Sequence, residues 1–212
     1  MLTVVTWRWG DRYKAEHVNS LARQVARHYQ KPHRFLVVTN QPEGIECQTI
    51  PDTEDFKDTP SPHGGQAPSC YRRLRMFHPL AAQWFGPRFV WLDLDMVILA
   101  DPSPLWDRDE DFVGLRDPLF PDQLNGSMGL LTAGSRPQVW EEFAPNSSPR
   151  LASRKGWKGS DQAWLSMKLL PCPTWGPKDG VYSFRKDGAN PPGARIVSYH
   201  GRVKPWHTQI AA

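Results

Sequence analysis

The chain is predicted to fold as an α/β protein, and three observations carry that prediction. An apolar, β-branched run, Leu2 to Thr6, opens the chain. Apolar residues at helical spacing come next, and a second apolar run, Phe35 to Thr39, follows them. Strand, helix and strand in that order begin an α/β sheet. The length of 212 residues is enough for one such domain with its own core.

Each element can be justified in turn. Leu2 to Thr6 reads as a buried strand, and Trp7 to Tyr13 as a polar and aromatic loop around Gly10. Val18, Leu21, Ala22, Val25 and Tyr29 predict an amphipathic helix from Ala15 to Tyr29. The strand Phe35 to Thr39 is closed by the turn-rich run Asn40 to Gly44. Residues 51 to 68, rich in Pro, Gly, Ser, Thr and Asp, predict a long loop of the kind that often carries function. Tyr71, Leu74, Phe77, Ala81 and Trp84 follow helical spacing, with Pro79 dividing the segment. Phe89 to Leu99 is the most apolar stretch, broken only by Asp93 and Asp95, and Asp101 to Pro104 ends it. Phe112 to Leu115 and Met128 to Thr132 read as strands, with Asn125-Gly126 as a turn before the second. Ser135 with Gln138 forms a capping-box pattern, so a short helix runs through Phe143. Residues 144 to 159 read as a basic loop, and Ser160 as the cap of a helix to Leu170. Ile196 to Tyr199 is the last strand.

Composition narrows the function classes. Hydrophobic content of 39% and charged content of 23% are those of an ordinary soluble globular protein. The net charge of +4 suits a diphosphate, an acidic membrane surface touched peripherally, or nucleic acid. That excess is too small to argue for nucleic acid alone. Ten tryptophans serve a core and can also stack on sugars or bases. Three distant cysteines, Cys47, Cys70 and Cys172, show no CxxC or zinc spacing, which argues against a disulfide framework or zinc site and points to a reducing, cytoplasmic setting. The N-terminus lacks the pattern of a signal peptide, and no apolar run is long enough to span a membrane.

The chemistry-bearing residues begin with Asp93 and Asp95. Two aspartates at i, i+2 on an extended chain point the same way. Burying two such carboxylates is costly without a cation, and a hard divalent ion with phosphate oxygens supplies one. Asp107, Asp109 and Asp111 repeat the spacing in a charged segment and read as a solvated loop. Phe112 stands where a calcium loop needs glycine, which excludes an EF-hand. Asp161 and Gln162 follow a helix cap and suit either helix-start polarity or a site. His200 to Trp206 combines a possible metal ligand, a glycine for close approach and a lysine for phosphate, or else forms a plain tail. Thr6, Trp7, Asp11 and Tyr13 end or follow the first strand, where open α/β sheets bind ligands. Trp7, Trp9 and Tyr13 are candidates to stack on a base and Asp11 to accept hydrogen bonds, with loop packing the alternative. Arg72, Arg73 and Arg75 read as a solvated face, with Arg72 and Arg75 kept as phosphate-binding candidates.

Together the motifs WGDRY, YRRLRMF, VWLDLDMVIL, LNGSMGLL, GSDQAWLS and YHGRVKPW resemble the GT-A glycosyltransferases related to glycogenin and the bacterial lipopolysaccharide galactosyltransferases. They are most similar to small bacterial and phage-type members, from Val4 to Trp206. The resemblance implies a single Rossmann-like GT-A domain over residues 1–212, with a mixed, mainly parallel sheet flanked by helices. It implies a nucleotide-sugar donor, with Asp93, Asp95 and His200 holding Mn2+ or Mg2+ on its diphosphate. Lys204 would contact the diphosphate, Gly201 would allow close approach, and Tyr13 would stack on uracil. Asp117, Asn125, Asp161 and Gln162 would surround the donor sugar and reacting carbon. Glycogenin-like members carry the histidine three residues before the glycine. Here Ser198 stands there and His200 directly precedes Gly201, as in the small bacterial members. The implied acceptor is a glycan, a lipid-linked glycan, a small molecule or a modified nucleic acid.

Two other classes remain in view. A nucleotidyltransferase would carry a Gly-rich loop after the first strand, where this chain has TWRWGDRY. A non-catalytic module binding sugar or nucleic acid through tryptophan and arginine would not need the acidic pair.

Overall fold

The structure is a computed structural model that describes residues 1–62 and 70–208; the last part of the 51–68 loop lies outside the described residues. In chain order β1 (Leu2–Trp7), α1 (Ala15–His28), β2 (His33–Val38) and β3 (Gln48–Ile50) come first. A 3-10 helix, Cys70–Phe77, and α2 (Ala81–Phe85) lead into β4 (Arg88–Leu92) and β5 (Met96–Ile98). Next come α3 (Ser103–Trp106), β6 (Phe112–Arg116), β7 (Leu124–Thr132), α4 (Gln138–Glu141), α5 (Ser148–Arg154) and α6 (Asp161–Leu169). The chain continues through β8 (Thr174–Trp175), β9 (Val181–Ser183), α7 (Phe184–Asp187) and β10 (Ile196–Ser198) to a 3-10 turn, Pro205–His207.

Seven strands form one sheet in the order β3-β2-β1-β4-β7-β6-β8, and β5-β10-β9 form a second. In the large sheet only β7 runs antiparallel to its neighbours, β4 and β6, so the sheet is mixed and mainly parallel. Both faces are covered, and the strands accordingly read as near-continuous apolar runs. Val4, Val37 and Val90 pack with α1 on one face. Val5, Leu36 and Trp91 pack with the 3-10 helix, α2 and α6 on the other.

One close fit sets the geometry near the site. Trp91 of β4 lies opposite Gly129 of β7. A Cβ at Gly129 would stand 2.0 Å from the indole. The missing side chain therefore admits the ring, whose Nε1 donates to Gly126 O at 2.9 Å.

Several expected elements differ. The stretch Phe89 to Leu99 is not one strand. β4 stops at Leu92, and β5 joins the other sheet. With both faces of β4 packed by apolar side chains, two carboxylates have no place on its continuation. The chain turns instead: Asp93 N donates to Ser127 O (2.8 Å) and Met96 N to Asp93 O (3.1 Å). Asp93 and Asp95 thus stand on a turn between two sheets and not side by side on a strand. Asn125-Gly126 lies inside β7 and not in a turn, since a register shift beside Gly114 and Leu115 absorbs it. The expected capping box at Ser135 and cap at Ser160 do not form: neither α4 nor α6 has a side-chain cap bond, and the Ser160 hydroxyl donates to Asp161 instead (3.2 Å). α5 lies in the expected basic loop; with Ser148, Pro149 and Ala152 buried, its seven residues are too few to show a period.

Candidate active site

The turn Asp93-Leu94-Asp95 follows β4 at its carboxyl end, beside the carboxyl ends of the parallel strands β1 and β2. Crevices at these ends are where open α/β sheets place ligands. The loop after β1, the 3-10 helix, β7, the start of α6 and the segment after β10 all bring side chains to it.

Arg73 organises one half. Its Nη1 pairs with Asp93, while its Nη2 and Nε bond Asp161 Oδ2 at 2.6 and 2.9 Å. Gly126 leaves room for this pair, because a Cβ there would lie 2.8 Å from Arg73 Nη2. The guanidinium is buried. Burial works against its charge, but Asp161 and Asp93 outweigh it and raise the arginine's pKa. Burial also pushes the Asp93 carboxyl up to about 6, with Asp95 and Asp161 adding to the effect and Arg73 opposing it. Three acids crowd one place, and Arg73 alone does not balance them.

Lys204 organises the other half. Its Nζ pairs with Asp95 Oδ2 and donates to Tyr199 O at 3.2 Å. The Tyr13 hydroxyl donates to the same Asp95 oxygen at 3.2 Å. Burial first, then the charges of Asp95 and Asp93, raise the Tyr13 pKa and keep the phenol protonated. The Tyr13 ring meets Trp206 edge to face at 5.6 Å, and Trp206 stacks on His17 of α1 at 3.7 Å. The segment after β10 is thereby tied both to the acid turn and to α1.

A third group lies alongside. Asp117 is buried and accepts from Leu119 N (2.8 Å), Phe120 N (3.0 Å) and Asn125 Nδ2 (3.0 Å). Gln162 Nε2 reaches the same carboxylate at 3.5 Å. Asn125, Asp117 and Gln162 thus form one polar cluster next to Asp161. It opens on a cavity of about 170 Å3 lined by Tyr182, Pro177 and Lys186, among others.

The remaining candidates are placed elsewhere. The Thr6 hydroxyl donates to Leu92 O (2.8 Å) and ties β1 to β4. Trp7 is in the core against Phe85 at 5.8 Å, and Trp9 lies under the Arg72 guanidinium at 5.0 Å. Asp11 is exposed in the loop. The three arginines are buried rather than a solvated face. Arg72 pairs with Asp52 at 2.6 Å, and Arg75 donates to Pro51 O at 2.9 Å over the Trp84 ring. Of that trio Arg73 is the one bonded to the acid cluster, and sequence reasoning passed over it. The only sequence signal was the crowding of arginines before an acidic turn. His200 is bonded to Ser183: its Nε2 meets Ser183 Oγ at 2.6 Å, beside a cavity lined by Arg185 and Arg202, and the charges of Asp117 and Asp95 reach it. Burial lowers its pKa. Gly201 has φ +103, a left-handed conformation that favours glycine.

The donors at the turn suit a hard divalent ion. Asp93 and Asp95 offer carboxylate oxygens, and Mg2+ or Mn2+ takes such a pair together with phosphate oxygens and water. Among the described residues no group of three His, Cys, Asp or Glu side chains forms a metal-holding cluster.

No protein-family model matches the chain, and no curated protein does. Solved structures do. Over its whole length the chain is similar to the galactosyltransferase LgtC in complex with donor and acceptor sugar analogs, with TM-score 0.64, 15% identity and 91% of LgtC covered. An active-site variant of LgtC, with glutamate in place of a glutamine, matches equally. The glycosyltransferase GlyE of Streptococcus pneumoniae TIGR4 matches with TM-score 0.64 and 13% identity over 99% of this chain and 57% of GlyE. The bifunctional glycosyltransferase WbbM matches with TM-score 0.63 and 16% identity over 99% of this chain and 47% of WbbM. The chain has the GT-A fold of these proteins, as the motifs led us to expect.

Proposed function

We propose that the chain is a metal-dependent glycosyltransferase. It takes a sugar from a nucleoside diphosphate sugar, with uridine the expected nucleoside, and passes it to an acceptor hydroxyl with retention at the anomeric carbon. The observation that carries this reading is the turn Asp93–Asp95, joined by Arg73 to Asp161 and by its own contact to Lys204, at the ligand-binding edge of a GT-A fold.

Each residue then has a task. Asp93 and Asp95 would hold the divalent ion, which when bound supplies positive charge to the diphosphate. Lys204 would meet the diphosphate oxygens as the bond from the anomeric carbon to the leaving oxygen breaks and the electron pair moves to that oxygen. The carbon becomes oxocarbenium-like. Asp161, fixed by Arg73, would place a negative charge near it without acting as a free nucleophile. Gln162, Asn125 and Asp117 would hold sugar hydroxyls. The acceptor oxygen then bonds to the carbon as its proton passes to the departing diphosphate oxygen. Tyr13 would line the nucleotide side.

The test is hydrolysis of a panel of nucleotide-sugars with and without Mn2+. Wild-type turnover should require metal, and Asp95→Asn should lower it by at least about a hundredfold, the scale of losing one preorganised charge contact. Equal rates would remove Asp95 from the metal. No metal-dependent turnover with any donor would favour a binding module. Proton NMR of the first transfer product reads the anomeric outcome, and inversion would overturn retention.

A further inference from the structure

We infer that Lys204 is a built-in counter-cation for Asp95, which must be handed to a diphosphate before a metal ion can bind tightly. Metal and nucleotide would then enter this site as a coupled pair. The inference rests on the reading of Asp93 and Asp95 as the metal-binding turn.

The two aspartates are neutralised in different ways. Arg73 serves Asp93 through Nη1 only, and keeps two further bonds to Asp161 through Nη2 and Nε. It loses little when Asp93 turns to another cation. Among the described residues Lys204 has no such second acid. Its Nζ donates to Asp95 and to the Tyr199 carbonyl, the latter at 3.2 Å, and the Lys204 and Asp95 side chains are each 7% exposed. A divalent ion approaching Asp95 meets an ammonium already on the carboxylate. Two cations on one buried carboxylate repel, and an ammonium moved off it without a new partner is a stranded buried charge.

A diphosphate resolves the conflict. Its oxygens accept the ammonium, which frees Asp95 for the ion, and the ion's other positions take diphosphate oxygens. The move asks for a swing of the lysine side chain only. The backbone on its far side is pinned by Trp206 against His17 and Tyr13. Because linkage is reciprocal, the metal must tighten nucleotide binding by the factor with which nucleotide tightens metal binding.

The experiment is calorimetric titration of Mn2+ into the full chain, with and without saturating UDP, and of UDP with and without Mn2+. Wild type should bind Mn2+ at least about tenfold more tightly with UDP, with the reciprocal factor for UDP. Lys204→Met and Lys204→Gln, checked for folding by their melting curves, should bind Mn2+ alone more tightly than wild type does. They should also lose most of the coupling. Variants that bind Mn2+ alone no better than wild type, with the coupling intact, overturn the inference and leave the metal site standing. No Mn2+ binding by wild type, with or without UDP, overturns both. A readout on wild type is independent of variant folding: the Lys204 ammonium resonance in 15N NMR should move on adding UDP with Mg2+ and acquire contacts to phosphorus. A resonance that stays unchanged while UDP binds overturns the inference.

Discussion

At the scale of single residues, Arg73 shows how one buried charge depends on its partners. It joins two acids that would otherwise repel, and each bond it makes is to a carboxylate oxygen. Arg73→Met leaves Asp161 buried without its cation, and we expect a loss of about 3–5 kcal/mol in urea unfolding. The double variant Arg73→Met, Asp161→Asn should recover part of it, and strict additivity would show that the pair is not coupled. Asp93 gives the opposite sign. Its folded carboxyl is pushed up to about 6 by burial and by Asp95 and Asp161, against about 3.9 unfolded. Between those values the folded chain holds a proton that the unfolded chain has released, so this group's contribution falls as pH rises from about 4 to about 6. Asp93→Asn should flatten that slope and raise stability at pH 7. The gain should be on the order of 1 kcal/mol, discounted because a third of the side chain meets solvent. Unfolding midpoints from pH 4 to 8 check it.

At the scale of elements, the segment after β10 matters through what it covers. Trp206 stacks on His17, and the imidazole is partly withdrawn from water. Burial lowers the His17 pKa below its ordinary value near 6.5. This contribution is full above about 6.5 and is lost as pH falls through the lowered folded value, because the unfolded chain takes up the proton first. Wild type should therefore lose thermal stability on acidification below about pH 6.5 more steeply than His17→Gln, and parallel curves would exclude His17 as the cause. The pairing of β4 with β7 carries a second consequence. Gly129→Ala forces a Cβ into the Trp91 ring, and overpacking of this kind costs about 1–3 kcal/mol or more. Because Trp91 Nε1 also holds Gly126 O, the shift should reach the gap that Gly126 leaves for Arg73. Weaker UDP binding by a folded Gly129→Ala would report it.

At the scale of the whole molecule, the site joins two sheets. Asp93 ends a strand of the large sheet, and Asp95 precedes a strand of the small one. A ligand that holds both aspartates therefore ties the sheets together. UDP with Mn2+ at a hundred times its dissociation constant should stabilise the fold by about 2.7 kcal/mol, read as a rise in melting temperature. Asp95→Asn should show no such Mn2+-dependent rise. No helix among the described residues is long and apolar enough to cross a membrane.

Much of this was legible in the amino-acid order because it depends on local pattern. Apolar runs and helical spacing located β1, α1, β2 and β6 to within a few residues, since these strands are continuous apolar runs and α1 buries one helical face. Isolated motifs were weak, but their order led to the GT-A fold that the solved structures share. Short elements escaped, among them β3, β8, β9, α3 and α7, because two to four residues show no period. The aspartates of the LDLD run were picked out from the sequence, yet their setting was not. Whether Asp93 and Asp95 lie along a strand or on a turn depends on which strands pair with β4 and β5, and those are β7 and β10, far along the chain. The choice of Arg73 over Arg72 and Arg75, the seat of Lys204 on Asp95 and the contact of His200 with Ser183 were likewise decided in three dimensions. A charged side chain settles where burial leaves an opposite charge within reach, and that distance exists only after the chain has folded.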